Sequence, residues 1–253
     1  MSVLFTIPNY NQYGPATEYL EAHPELEAAR EAKLESFITI GNYVAFGSYE
    51  QDNDTDNGKE PIEWLVLDYD ETNHRVLLLS RYGLDAKPFN TERVITSWEE
   101  CTLRTWLNGE FIINAFSKAE QRAILTTAVD NTTIVEGSST PITRSGNNTE
   151  DKVFLLSYAE ANRYLGLTKG TRNNIKLRTT PTAYALKQGA FTSDSNKTTD
   201  GMKAGWWWLR NSGYNPYYAA VVDDDDYFNF NYVDRDDGCV CPALWIILEF
   251  GIF

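Results

Sequence analysis

Two sets of short β-branched and aromatic runs bracket a helix-forming middle, and that arrangement constrains the fold of these 253 residues more than any other feature. Ile40 to Tyr49, Ile62 to Tyr69 and Val76 to Ser80 are separated by turn-forming residues and read as strands. Trp206 to Arg210, Ala219 to Val222, Asn229 to Val233 and Ala243 to Phe250 read the same way. Between them, Ser97-Trp98-Glu99-Glu100 has the form of a capping box, and Leu103, Trp106 and Leu107 supply an apolar stripe. Ser117-Lys118-Ala119-Glu120 repeats the device before Ile124, and short helices are expected at Tyr158 to Leu165 and Thr182 to Gln188. Asn131 to Asp151, rich in Ser, Thr, Asn and Gly, reads as a long surface loop. No repeat and no Gly/Ser/Pro linker divides Ile38 to Phe253, so one α+β domain is expected over 38–253.

Residues 1–37 look separate. Pro15 to Phe37 is helix-forming, and Pro24 suits a first helical turn. Leu26, Ala29 and Phe37 share one face, with the Lys33 stem beside them. Such a helix either packs on the main domain or serves as an arm that joins copies of the chain.

Composition excludes several classes of function. Hydrophobic residues make up 42% and aromatics 13%, enough for a sizeable core and too much for a disordered chain. No stretch approaches 18 uncharged apolar residues, so no membrane span is expected. A formal charge of −14 argues against nucleic-acid phosphate as a partner. Met1 to Tyr10 lacks the cationic-then-apolar order of a secretory signal. The expected location is therefore the cytoplasm as made, or display on a phage or by a non-classical route. Three cysteines, Cys101, Cys239 and Cys241, fit a reducing compartment, and two histidines exclude a His-rich metal centre. No cofactor is expected.

Three local patterns carry candidate chemistry. Asp52-Asn53-Asp54-Thr55-Asp56-Asn57-Gly58, with Glu63 eleven residues after Asp52, resembles a calcium loop, because alternating carboxylates can converge on a hard cation. Asn57 stands where the sharp turn wants glycine and the flanks are strands, so a solvated hairpin loop is the expectation. Cys239-Val240-Cys241 places two thiols on one side of a strand, but no second pair accompanies them. In Trp206-Trp207-Trp208, strand alternation puts the outer two on one face and Trp207 on the other, anchoring a core. There is no phosphate loop, no nucleophile elbow and no His-Glu-x-x-His.

The most informative stretch is Asn211 to Cys241, NSGYNPYYAAVVDDDDYFNFNYVDRDDGCVC. It contains no Glu, Gln, Lys, Met or Trp and is dominated by Asp, Tyr, Asn and Phe. The codons of those four all end in a pyrimidine and interconvert by changes at the first two bases. The chemistry is that of a paratope: Tyr offers rigid amphipathic area, while Asn, Ser and Gly adapt their hydrogen bonds.

Gly205-Trp206-Trp207-Trp208-Leu209-Arg210-Asn211-Ser212-Gly213, then Ala219-Ala220-Val221-Val222, then Gly238-Cys239-Val240-Cys241-Pro242-Ala243-Leu244-Trp245 resembles the C-terminal half of a C-type-lectin-like fold. It is similar in particular to the variable proteins of diversity-generating retroelements. Upstream, Phe46-Gly47-Ser48-Tyr49, Pro61 to Leu67 and Leu103 to Asn108 resemble an uncharacterised bacterial domain family sharing that ending. Asn211-Ser212 replaces the usual Ser-Pro, an extra tryptophan precedes Leu209, and Cys241 stands where arginine is common. The fold class also includes formylglycine-generating enzymes, whose reactive cysteine pair invites comparison with Cys239 and Cys241, although their surrounding motif is missing.

The resemblance implies a non-enzymatic ligand-binding protein of bacterial or phage origin, with a hypervariable region at about 211–241. The expected binding face is Tyr214, Asn215, Tyr217 and Tyr218; Asp223, Asp224, Asp225, Asp226, Tyr227, Phe228, Asn229, Phe230, Asn231 and Tyr232; and Asp234, Arg235, Asp236 and Asp237. Ala219 to Val222, Val233 and Val240 should point inward. The aspartates have Arg235 as their only local opposing charge, which predicts a repulsive acidic surface suited to a basic protein partner. A formylglycine-generating-type enzyme and a calcium-dependent carbohydrate-binding lectin are the alternatives.

Overall fold

A computed structural model describes residues 24–131, 146–168, 170 and 174–248. The chain is mixed α+β, with two main sheets and mostly short helices. Strands β1 (Tyr43–Tyr49), β2 (Glu60–Asp70), β3 (Arg75–Ser80) and β11 (Ala243–Ile247) form a four-stranded antiparallel sheet in that order. Strands β4 (Asp85–Ala86), β10 (Cys239–Val240), β7 (Trp207–Ser212), β8 (Tyr218–Val222) and β9 (Phe228–Tyr232) form a five-stranded sheet, antiparallel except between β10 and β7. A two-stranded ribbon joins β5 (Thr127–Val129) to β6 (Thr149–Asp151). The chain passes between the main sheets twice: between β3 and β4, and through Cys241-Pro242 between β10 and β11. Leu78 and Leu79 of β3 therefore pack in one core with Trp207 and Val240 of the other sheet.

The helices are α1 (Pro24–Ile38), α2 (Thr102–Trp106), a π turn at Leu107–Phe111, α3 (Ile112–Ala115), α4 (Lys118–Ala123), α5 (Tyr158–Leu165) and α6 (Ala183–Lys187). Capping boxes start α4 and α5: Ser117 with Glu120, and Ser157 with Glu160. The expected box at Ser97 does not form. Ser97 to Glu100 make a turn, and α2 begins later, capped by the Cys101 sulfur accepting from the Arg104 N–H. Cys101, in extended backbone (φ −72°, ψ 150°), ends that turn before Glu100 can serve Ser97, and Glu99 is held by Asn147.

Of α1, only Phe37 is buried among the side chains described, while Ala29 and Lys33 are exposed. The helix rests on the sheet by its C-terminal end, so the shared face of Ala29 and Phe37 is not one packed stripe. The expected residues 15–23 lie outside the described residues, as do 132–145 of the expected loop and 249–250 of the last strand. Within that loop region, Thr149–Asp151 is strand rather than loop.

Tryptophan anchors the core as alternation predicts. Trp64, Trp98, Trp207 and Trp208 are buried, and each indole N–H finds an oxygen, on Phe46, Asp151, Leu177 and Lys87 respectively. Trp206 and Trp208 meet edge to face at 4.8 Å over Gly238, where an added Cβ would lie 2.4 Å from the Trp206 ring. Trp106 and Trp245 are only partly buried. A bulge in β1 at Gly47 (φ +70°) presses the backbone against the Phe116 ring, and its N–H is taken by Glu120.

Candidate functional site

Strands β7 and β8 form the rigid base of the candidate site. Every residue of β7 is buried, as are Ala219 to Val222 in β8, all with 0% exposure. The run reads as continuous apolar sequence because both faces are covered. Val233 and Val240 are buried beside it, as alternation requires.

Strand β9 lies at the edge of this sheet and pairs with β8 so that Tyr232 opposes Tyr218, Phe230 opposes Ala220, and Phe228 opposes Val222. Opposed residues share a face, so these side chains form one row running from core to solvent. Phe228 meets Tyr158 of α5 at 4.5 Å between ring centres and Phe230 at 5.0 Å. Tyr214 packs edge-on against both Phe230 and Tyr218 at 5.3 Å, and Tyr218 meets Tyr232 at 4.5 Å. The Arg93 guanidinium caps the row 4.0 Å above the Tyr232 ring. At the open end, Tyr214 and Tyr232 are 46% and 40% exposed, and Tyr217 in the turn before β8 is 39% exposed. The Tyr218 hydroxyl is pushed up to about 12, first by its hydrogen bond to Tyr232.

The expected binding residues thus divide. Tyr214, Tyr218, Phe230 and Tyr232 are joined by ring contacts in one partly exposed aromatic patch, Tyr217 is exposed in the turn before β8, and Asn229 is exposed and Asn231 half-buried on the opposite face of β9. Asn215 shapes the turn before β8 by accepting from the Tyr217 and Tyr218 N–H groups. Phe228 is 4% exposed and belongs to the core, because the row is covered by α5 at that end. Asp226 is fully buried and belongs to the scaffold as well. It sits at φ +65° in the β8–β9 turn, a region aspartate tolerates better than most residues, and Arg178 holds its carboxylate at 2.8 Å. Asp223, Asp224, Asp225 and Tyr227 are half-buried around it.

The expected acidic repulsion is largely relieved by partners from distant parts of the chain. Arg178 meets Asp226, Arg93 meets Asp234 at 2.9 Å, and the Asn196 amide donates to Asp224 at 2.7 Å. Arg235 serves Asp237 at 2.8 Å, while Asp236 remains exposed. Sequence reading found the aspartates but not these partners, because nothing local announces an arginine that folds in from elsewhere.

The other motifs resolve into different geometry. In the β1–β2 loop, Asp52 and Asp54 accept backbone N–H bonds two residues on, which are local turns. Glu63 does not close that loop; it faces Arg81 at 2.8 Å from within β2. Ligand atoms of Glu50, Asp52 and Glu60 lie within 4.8 Å of one another, and burial and then Glu60 push the Glu50 carboxyl up. Glu60 also accepts from the Gln51 N–H, and Asp52 from the Asn57 amide, so this grouping has a structural role in the hairpin. Cys101, Cys239 and Cys241 are buried free thiols. Burial pushes Cys101 and Cys241 up to about 12 and Cys239 well above its ordinary value, so none is a ready thiolate at neutral pH.

No curated protein and no solved structure is significantly similar to this chain. A family model described as a domain of unknown function (DUF6273) matches residues 73–248. That span covers more than half of the chain and runs from β3 through the aromatic row to β11. The protein belongs to the DUF6273 family.

Proposed function

We propose that this is a non-enzymatic recognition protein with a C-type-lectin-like fold, whose C-terminal surface is diversified by a retroelement and binds a protein ligand. The observation that carries the reading is the junction of two unlike parts. A wholly buried β7–β8 base supports an edge strand whose row of rings emerges as exposed tyrosines. Tyrosines in such a patch present large contact area at low entropic cost, and their rigid base limits what a partner must order. The restricted residue set of 211–241 supports diversification of the same stretch. Exposed Tyr214, Tyr217, Asn229, Tyr232, Arg235 and Asp236 are the variable contact residues in this reading, with Tyr218, Phe230 and the half-buried aspartates as adjustable neighbours. Phe228 and Asp226 are fixed.

The test is the source DNA. A near-copy of the stretch encoding 211–241, differing from it at adenines, should lie close to a reverse-transcriptase gene. Complete flanking sequence without such a copy would remove the retroelement from the account.

A formylglycine-generating-type enzyme is the second reading, favoured by the position of Cys241 in the lining of a cleft. It requires a thiol that reacts at neutral pH, against the direction in which burial moves both cysteines. Rapid selective alkylation of Cys239 or Cys241 in the folded protein would favour it.

A further inference from the structure

A cleft of about 540 Å³ opens beside β2 and β3, lined also by residues of α5 and of the 175–179 segment. Its lining includes none of the aromatic row of β9. The size is within the roughly 300–1,000 Å³ range of small-molecule sites. Its deep wall is buried and apolar: Val66, Leu177, Trp207 and Cys241 are 1–3% exposed. Its mouth is apolar as well, with Ile40, Tyr43 and Ile175 exposed by 63%, 49% and 40%. Singly exposed apolar residues are ordinary, but three that converge on one cavity mouth mark a binding surface.

The charges are one-sided. The lining contains Arg81, Lys176 and Arg178 and no aspartate or glutamate, in a chain with 36 acids and 22 bases. Two of these cations are already matched. Arg178 gives two of its nitrogens to Asp226 and a third to the Lys197 carbonyl, facing away from any occupant. Arg81 joins Glu63 and Asp200 and lies over the Tyr43 ring at 4.4 Å, which keeps its guanidinium at the mouth. Lys176 is exposed and makes no ion pair among the described residues. Polar groups deeper in the cleft are already satisfied: the Cys241 thiol donates to the Thr179 hydroxyl at 3.7 Å, and the Tyr164 hydroxyl donates to Asp68 at 2.9 Å. The inner wall therefore asks for an apolar body, and the unmatched demand is for one negative charge at the mouth.

We infer that this cleft is a second binding site, taking a small amphipathic carboxylate whose apolar body lies against Trp207 and Leu177 and whose anionic end meets Lys176. A cation would be repelled by Lys176, the lining cation with no ion pair among the described residues, and a neutral apolar molecule would gain nothing from it. The site stands apart from the recognition patch, so it does not depend on the function proposed above.

Decanoate and decanol are suitable probes, with binding followed by calorimetry and by tryptophan fluorescence. Decanoate should bind saturably at one per chain, and decanol about threefold more weakly, since an exposed ion pair is worth of that order. Lys176→Glu should weaken decanoate at least about tenfold and leave decanol unchanged, whereas Ile40→Ser should weaken both. Both substitutions are at exposed positions, and an unchanged melting temperature verifies that the fold is intact. Replacing Tyr214, Tyr217 and Tyr232 by serine should leave decanoate binding as it was. Absence of saturable decanoate binding, or binding indifferent to both Lys176→Glu and Ile40→Ser, would overturn the inference. Equal losses of decanoate and decanol in Lys176→Glu would overturn the role of the charge.

Discussion

Single side chains in the 211–241 stretch have opposite duties, and stability measurements separate them. Replacing Tyr214, Tyr217 and Tyr232 with serine should cost at most about 1.5 kcal/mol each, because these half-exposed residues lose only ring contacts at the open end of the row. Phe228→Ala should cost about 3–5 kcal/mol, because it empties the contact with Tyr158. Asp226→Ala should be similarly damaging, at about 3–5 kcal/mol, since it leaves Arg178 mostly buried without its carboxylate in a left-handed turn. Urea titrations of the three variants would check this ordering. A Phe228 variant as stable as the tyrosine variant would show that the row is not anchored in the core. Much of this division is legible in the sequence: alternation along Phe228–Tyr232 already identifies the two phenylalanines as inward candidates. The burial of Asp226 is not legible, because its partner lies 48 residues earlier and only the fold brings them together.

At the scale of elements, short apolar runs and capping boxes locate most strands and helices, and the exceptions have physical causes. Strands β4 and β10 span two residues each, too short for any periodicity to register. The Ser97 box yields to the Cys101 cap because the extended backbone at Cys101 breaks the chain after one turn, so no helix continues from Ser97 through Glu100. Where β10 passes the tryptophans, Gly238→Ala should destabilise strongly, as its new methyl group would overlap Trp206 and approach the Trp208 indole nitrogen within 2.6 Å. Thermal unfolding would show the effect, and an unchanged melting temperature would mean the rings can shift. The crossover at Cys239 to Cys241 also sets an alkaline limit. Each buried thiol holds its proton more tightly when folded than when unfolded. Below about pH 8.5 both states are protonated and no stability is lost. Above it the unfolded chain ionises first, so stability should fall by up to about 1.4 kcal/mol per pH unit per thiol, for Cys241 until pH 12 is approached. Cys241→Ala should flatten that slope in urea titrations between pH 8 and 11; an unaltered slope would mean Cys241 is not the titrating group.

For the whole molecule, the balance of charge matters more than any pair. Formal charge is −14, and Arg93, Arg178 and Arg235 are already paired with aspartates of the 211–241 stretch. Moderate salt should therefore raise the melting temperature slightly by screening the remaining repulsion. A clear fall would show instead that the arginine–aspartate pairs dominate. The same charge should speed association with a basic partner at low ionic strength.

The proposed diversification of an exposed face on a fixed scaffold would be visible on sequencing the segment encoding 211–241 from many cells of one lineage. Substitutions should concentrate at Tyr214, Tyr217, Asn229, Tyr232, Arg235 and Asp236, with Ala219 to Val222, Asp226, Phe228, Val233 and Val240 unchanged. Substitutions spread evenly over buried and exposed positions, or none beyond the background of the flanking sequence, would contradict it.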